Sequence, residues 1–273
     1  MNEKEYNSAP EIRRSDLWKI NESPEKYKYY QDHPLEKTPA LLFGSAAHSF
    51  ILEPDKFTED YAVAPIVDRR TKEGKCEWEM FCTENSDKDI ISAEDFKIIQ
   101  NMAAAIKRNP IANNLIYGKG ETEVPFFWID KDTKEKCKVK LDRLVRIDRR
   151  FVVVDYKTAL SAETTRFCNE IPKLGYHLQT AMYTEGVMKR KRLKYRPDFI
   201  FVVQEKKEPY SVNVIYVPFD SGVMLYGQDQ FRELLGILHQ CKLTDNYYGY
   251  TGAFGDMNEA FLPGYIQIGE GEN

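Results

Sequence analysis

Residues 138–159, KVKLDRLVRIDRRFVVVDYKTA, constrain this chain more than any other stretch. They read as a β-hairpin. One strand runs through Val139, Leu141, Leu144, Val145 and Ile147, the turn is Asp148-Arg149-Arg150, and the return strand begins with the apolar run Phe151-Val152-Val153-Val154. Each strand carries an acid near one end, Asp142 on the first and Asp155 on the second, and the second then delivers Lys157. Side chains at i and i+2 of a strand share a face, so Asp155 and Lys157 point at one spot. Pairing of the hairpin brings Asp142 beside them.

Two carboxylates can hold a hard cation through oxygen, and an ammonium beside them can orient water or stabilise charge on a phosphate. That donor set suits metal-dependent cleavage of a phosphodiester. Asp-x-Lys alone also arises by chance, so the surrounding residues carry the argument.

Around the hairpin the remaining elements alternate. Strands are predicted over Glu121–Ile129, Lys136–Ile147, Phe151–Lys157, Pro197–Gln204 and Ser211–Val217, with a turn at Glu205–Pro209. Helices are predicted from Ser15 through Ile20, from Ser23-Pro24-Glu25, over Pro39–Leu52, over Ala93–Arg108, over Pro172–Arg192 and over Ser221–Cys241. Ser caps and Pro at the first helical turn mark several of these starts, and Asn109-Pro110 stops the helix over Ala93–Arg108. Residues 61–91 read as an irregular, acidic insertion around Trp78, Met80 and Phe81. The order βββαββα predicts an α/β fold, a mixed central sheet flanked by helices, with a helical N-terminal part. The expected organisation is a helical region 1–110 packed on a core of residues 111–246. An aromatic and Gly-rich tail, 247–273, should dock on the body or on a neighbouring subunit. The whole is expected to be one folded domain.

Charge is uneven. Residues 51–95 hold 13 acids against 6 Lys/Arg, residues 134–157 hold 9 Lys/Arg against 4 acids, and 189–196 (KRKRLKYR) hold 6 basic residues in 8. A basic face beside an acidic cluster is a footprint expected for DNA, although KRKRLKYR also fits the solvated end of a helix. The five cysteines, Cys76, Cys82, Cys137, Cys168 and Cys241, are scattered and contain no C-x-x-C, which predicts reduced thiols in a cytoplasm. No apolar run approaches the ~20 residues of a membrane span, and the first residues lack a signal-peptide core. P-loop, H-E-x-x-H, G-x-S-x-G and G-x-G-x-x-G motifs are absent.

The order of short motifs resembles a known group. Gly44-Ser45-Ala46-Ala47-His48 is followed by Glu123, Asp142-Arg143, Asp155-Tyr156-Lys157 and Gln179-x-x-x-Tyr183. Ser15-Asp16-Leu17-Trp18-Lys19-Ile20, Ser23-Pro24-Glu25-Lys26-Tyr27, Leu52-Glu53-Pro54 and a terminal Leu262-Pro263-Gly264-Tyr265 extend the likeness over nearly the whole chain. Together they resemble the PD-(D/E)XK nucleases, and within them the phage and prophage exonuclease VIII (RecE-like) branch, related to the RecB nuclease domain.

The resemblance implies a restriction-endonuclease-like core and roles for particular residues. His48, Asp142, Asp155 and the backbone carbonyl of Tyr156 would hold Mg²⁺, with Mn²⁺ as a substitute. Glu123 would lie close to the metal; Glu121, two residues away on the same predicted face, is the competing candidate. Lys157 would orient water and stabilise the transition state. Gln179 and Tyr183 share a helix face and would border the site. Lys140 and Arg143 are the expected DNA contacts. His33, His177 and His239 have no such context. With only Cys241 late in the chain, no iron–sulfur cluster is expected. The implied activity is end-dependent digestion of double-stranded DNA, 5′ to 3′, leaving 3′ single strands for phage-type recombination. The implied partners are duplex ends, a single-strand annealing protein and further copies in a ring, in the cytoplasm of a bacterial host and with no membrane. The competing readings are an endonuclease or repair nuclease cutting internally, and a non-catalytic DNA-binding protein on the same fold.

Overall fold

The computed structural model describes residues 3–255 and 257–260. The terminal Leu262-Pro263-Gly264-Tyr265 motif lies outside them. The N-terminal helices are α1 (Glu3–Ser8), α2 (Arg14–Glu22), α3 (Pro24–Asp32), α4 (Pro39–Leu52) and α5 (Phe57–Asp60). Then come β1 (Tyr61–Val63), α6 (Lys72–Glu84), β2 (Asp89–Ile91), α7 (Ala93–Arg108) and α8 (Pro110–Tyr117). The core follows as β3 (Gly120–Ile129), β4 (Lys136–Ile147), β5 (Arg150–Ala159), α9 (Thr164–Lys173), α10 (Tyr176–Lys191), β6 (Asp198–Glu205), β7 (Val212–Val217) and α11 (Gly222–Thr244).

A five-stranded mixed sheet in the order β3-β4-β5-β6-β7 forms the centre. It is antiparallel except for the β5–β6 pair, which is parallel. The crossover that this pair requires is supplied by α9 and α10. Alternate residues of β5 serve opposite layers. Val153 joins one core with Leu178, Met182, Phe201, Phe231 and Leu235, between the sheet and α2, α9, α10 and α11. Val152, Val154 and Tyr156 join the other with Met102, Ile106, Leu115 and Val202, beneath α4, α7 and α8. This two-sided burial explains the unbroken apolar run that the sequence displays. A smaller cluster of Ala46, Ala47, Phe57, Tyr61, Ile91 and Ile99 seats α4 on its neighbours.

The hairpin turn is tighter than expected. Arg150 already pairs with Ile147, and Asp148 and Arg149 both take positive φ (47° and 66°), the two-residue left-handed turn favoured between twisted strands.

Three other expectations are corrected. Residues 61–91 are not irregular: β1 and β2 form a short parallel pair, and α6 between them is capped by Thr71. Its apolar residues bunch between Cys76 and Cys82 and none of them is fully buried, which hid its period. The helix expected over Pro172–Arg192 is two helices. Pro172 lies inside the last turn of α9, and Gly175 takes φ +66° ahead of α10. A Cβ at Gly175 would lie 2.4 Å from the Trp18 ring, so close packing against α2 favours glycine there as well. Asn109-Pro110 ends α7 but also starts α8, with the Asn109 carboxamide accepting from Ile111 N and Ala112 N.

The KRKRLKYR segment ends α10. Lys189 and Arg196 pair with Glu185, and Lys191 with Glu121 at 3.0 Å, so much of its charge is neutralised within the fold. The start of the tail docks on α3: Glu25 N donates to Tyr248 O, and Tyr27 stacks on Tyr247. Among the described residues, no helix is long and apolar enough to cross a membrane.

Candidate active site

The site lies where the sheet opens. β4 and β5 pair from Ile147↔Arg150 up to Arg143↔Val154 and then part. One step further on, Asp142 stands opposite Asp155. On the other side of β4, the β3 ladder is interrupted between Thr122↔Arg143 and Val124↔Leu141, leaving Glu123 opposite Asp142 with φ +50°. Three adjacent strands therefore present acids at one level. Beyond the opening, the edge of β4 vacated by β5 is taken by Ile12, which bridges Cys137, donates to Lys136 O and accepts from Lys138 N. Buried Lys138 fixes that segment by donating to Tyr6 O and Ala9 O. The gap between the departing β5 and this segment is held open by the fold.

Asp142 fills part of the gap. Its Oδ2 accepts from Tyr156 N at 2.7 Å and lies 2.8 Å from His48 Nε2. His48 comes from α4, whose start is fixed by Pro39 and the Thr38 cap. Its Nδ1 is 3.4 Å from Glu123 Oε1. His48, Glu123 and Asp142 each offer a ligand atom, all within 4.8 Å of one another. Glu123 Oε2 pairs with Lys140 at 2.7 Å. Asp155 lies outside that trio: Gln179 Nε2 donates to its Oδ1, and Lys157 Nζ is 2.7 Å from its Oδ2.

The donors suit a divalent cation. Glu123 Oε1 and Asp155 Oδ2 are buried with no directed hydrogen bond. Two such carboxylate oxygens, with Asp142 and an imidazole, form a hard oxygen-and-nitrogen set. Without a cation, protons and ammonium groups balance the acids. Burial would lower the His48 pKa, but the adjoining Asp142, then Glu123, raise it to about 9. Burial also raises Asp142, yet His48 and Lys157 bring it below its ordinary value. Burial and the nearby Asp142 charge raise Glu123. Asp155 is pushed up to about 6, by burial first and then by Asp142, with Lys157 opposing. Burial works against the Lys157 charge, but Asp155 and Asp142 outweigh it, so the ammonium persists. Lys157 is therefore positively charged in the cation-free site.

Sequence-predicted residues fall into three groups. His48, Glu123, Asp142, Asp155, Lys157 and Gln179 converge. Tyr183 lies on the same face of α10 as Gln179, near enough that burial and then Asp155 and Asp142 raise its phenol. The Tyr156 ring is buried and its hydroxyl donates to Gln204. Two expectations are corrected. Arg143 is buried and donates to Leu115 O, Thr122 Oγ1 and Gly118 O, tying α8 to β3, so it is not presented to a DNA backbone. Glu121 and Glu123 do not share surroundings: Glu121 reaches Lys191, and the positive φ of Glu123 sends its carboxylate to His48 and Lys140. His177 is structural, bonded to Gln230 and Ile171 O.

The sequence reading missed Tyr176, whose ring lies 5.0 Å from Lys157 Nζ. Its place at the first position of α10, after a glycine, was obscured by the expected continuous helix. A cavity of about 550 Å³ opens onto the cluster, lined by His48, Glu123, Lys140, Tyr156, Lys157 and Tyr176 among others. Gly44 lies in its wall, where a Cβ would meet only Thr158 Oγ1 at 3.9 Å.

Comparisons with known proteins follow this geometry. The family model described as a PDDEXK-like domain of unknown function (DUF3799) matches residues 14–254. No curated protein matches the sequence. A solved structure of a candidate exonuclease from Eubacterium rectale superposes with a TM-score of 0.54 and 15% identity, covering 94% of this chain and 88% of that one. At that identity the likeness shows the fold. The protein SSO0001 aligns more weakly, with a TM-score of 0.39, 14% identity, and coverage of 86% of this chain and 81% of that one.

Proposed function

The chain belongs to the PD-(D/E)XK nuclease superfamily, in the family of PDDEXK-like domains (DUF3799), and from that premise we propose that it is a Mg²⁺-dependent exodeoxyribonuclease. It digests duplex DNA from its ends, 5′ to 3′, and leaves 3′ single strands for recombination. The observation that carries the reading is the three-strand acid level, Glu123, Asp142 and Asp155, closed by His48 on one side and Lys157 on the other. The described exonuclease candidate among the structural neighbours supports the exonuclease half.

His48, Asp142, Asp155 and the Tyr156 carbonyl would hold the cation, with Glu123 beside His48 and Asp142 as a further candidate ligand. A bound divalent ion supplies Lewis acidity and lowers the pKa of water. Gln179 keeps Asp155 oriented through Oδ1, while Oδ2 faces Lys157 and would be available to a cation. Lys157 Nζ, fixed between Asp155 and the Tyr176 ring, stabilises negative charge developing on the phosphate. Lys140 approaches the same cavity and is the DNA contact retained from the sequence reading. The same proposal includes a ring-forming homo-oligomer around the duplex and a single-strand annealing protein as partner.

The test is digestion of linear duplex labelled at one 5′ end, with Mg²⁺, Mn²⁺ or EDTA, beside covalently closed plasmid. The expected result is metal-dependent release of labelled nucleotides with the plasmid intact. Rapid nicking or linearisation of the plasmid would replace this reading with the endonuclease one. DNA binding with no cleavage under any metal would favour the non-catalytic reading.

A further inference from the structure

Beside the catalytic cavity lies a second one of similar volume, about 550 Å³. It is bounded by the end of β5, the following loop, α9 and the α9–α10 break. Thr158, Tyr176 and Lys206 line both cavities, so the two are adjacent. None of the acids of the metal cluster reaches the second cavity. Its cationic wall consists of Arg166, Lys173 and Lys206. The acid in that wall, Glu170, is paired with Lys173 at 3.3 Å. Arg166 is exposed on α9, with the Glu163 carboxylate close enough to feel its charge. The remaining wall is largely apolar, with Ala159, Leu160, Phe167, Leu174 and Tyr176. Phe167 and Tyr176 stack with centroids 5.7 Å apart at an interplanar angle of 25°, and Leu160 at the mouth is 94% exposed.

From this arrangement we infer that the second cavity seats the single-stranded nucleotides flanking the scissile phosphate, with Arg166, Lys173 and Lys206 on the backbone and Tyr176 and Leu160 against the bases. The inference rests on the proposed nuclease function and adds a substrate subsite to it. Cations lining a groove beside an aromatic wall match single-stranded nucleic acid, whose phosphates and base faces alternate along the chain. A duplex would not place its bases against the wall. The volume lies in the range of ordinary ligand pockets, roughly 300–1,000 Å³, enough for a short unpaired stretch and not for two paired strands. Tyr176 is the hinge of the argument. Tyr176 lies 5.0 Å from the Lys157 ammonium and lines both cavities, so a strand lying along it passes from chemistry to subsite without leaving the protein.

The test compares wild type, the double variant Arg166→Ala/Lys173→Ala, and a control, Lys97→Ala/Lys107→Ala, which removes equal charge from exposed positions of α7. Binding of a fluorescent oligothymidylate is followed by anisotropy in EDTA across a salt series. Hydrolysis of bis(p-nitrophenyl) phosphate, too small to reach the second cavity, is followed separately with Mn²⁺. The groove variant is expected to bind about tenfold more weakly, with a salt slope shallower by about 1.4 for two lost phosphate contacts on a single strand. Its hydrolysis of the small diester should be unchanged, and the control should bind as wild type. Wild-type affinity and slope in the groove variant, or an equal loss in the control, would overturn the inference. A wild-type protein that hydrolyses neither DNA nor the small diester would instead overturn the nuclease reading, and the binding comparison would still decide the groove.

Discussion

Metal binding should expel a proton from His48. In the cation-free site this imidazole sits 2.8 Å from Asp142 and 3.4 Å from Glu123, and its pKa is raised to about 9. A ligating nitrogen must be unprotonated, so the cation and the proton compete for one position. At about pH 7.5, a group of pKa about 9 is roughly 97% protonated, so each cation bound should release close to one proton. Apparent affinity should rise about tenfold per pH unit from about 6 to 9 and level off above 9. Asp155, raised to about 6, adds a second competing proton below that pH, where the dependence should steepen toward two protons. The assay is calorimetric titration with Mn²⁺ in buffers of different ionisation enthalpy at one pH. The slope of observed enthalpy against buffer enthalpy gives the protons released. His48→Gln should bring that slope close to zero at neutral pH. A near-zero slope in the wild-type protein, with binding intact, would refute both the placement of His48 on the metal and its charged state without it.

Asp142→Ala and Asp155→Ala should each abolish cleavage while preserving or improving DNA affinity, since each removes a cation ligand and a repulsive charge; full turnover in either variant would remove that residue from the chemistry. Lys157→Ala should keep metal affinity and lower the single-turnover rate by on the order of 10²-fold or more, so loss of metal with unaltered chemistry would reverse the assignment. Gly175→Ala forces a left-handed alanine against the Trp18 ring, at a cost of at least about 2 kcal/mol and a thermal midpoint lower by roughly 5 °C; an unchanged midpoint would show that α2 yields freely. Burial alone would raise Asp130, but Thr133 and Arg232 hold it down to about 2. A depressed carboxyl stabilises the fold above its unfolded pKa, so this contribution is present above about pH 4 and is lost as pH falls toward 2. Asp130→Asn should therefore flatten that part of the acid-unfolding curve, and an unchanged curve would refute the link.

Much of the site was legible because it rests on period-two strands. Asp142, Asp155 and Lys157 occupy positions that pairing of the hairpin brings together, and the apolar run ahead of Asp155 announces a strand. His48 could be linked to them only through motif order, because 94 residues and most of the helical layer separate it from Asp142 in the chain. Arg143 was misread for a physical reason. A basic residue beside a catalytic acid looks like a phosphate contact, but the strand twist turns it toward the α8–β3 connection, where it satisfies Leu115 O and Gly118 O. The α9–α10 break was hidden because Pro172 suits a helix start as well as a last turn, and the left-handed state of Gly175 depends on a ring brought from α2.

What sequence spacing does not convey is that the site is a controlled failure of β-pairing. Had β4 and β5 stayed paired at Asp142 and Asp155, the Tyr156 N–H would have no need of a carboxylate partner, and Asp142 would be free to turn elsewhere. Instead its Oδ2 accepts from Tyr156 N, substituting for backbone pairing and fixing the acid in place. The same level of β3 is released by the positive φ of Glu123, an uncommon conformation for a residue other than glycine, whose cost the surrounding sheet must offset. Two independent departures from regular strand geometry, side by side and both at acids, are costly as packing solutions and economical as a way to aim three carboxylates at one point. The strain at Glu123 thus has a direct measure. Glu123→Gly, which accepts that φ without penalty, should lose the carboxylate and weaken metal binding, yet give back part of the conformational cost of about 1 kcal/mol or more in stability measured without metal. A metal-free Glu123→Gly protein that is clearly less stable than wild type would mean that the His48 and Lys140 contacts, rather than the metal site, are what hold this residue in its left-handed state.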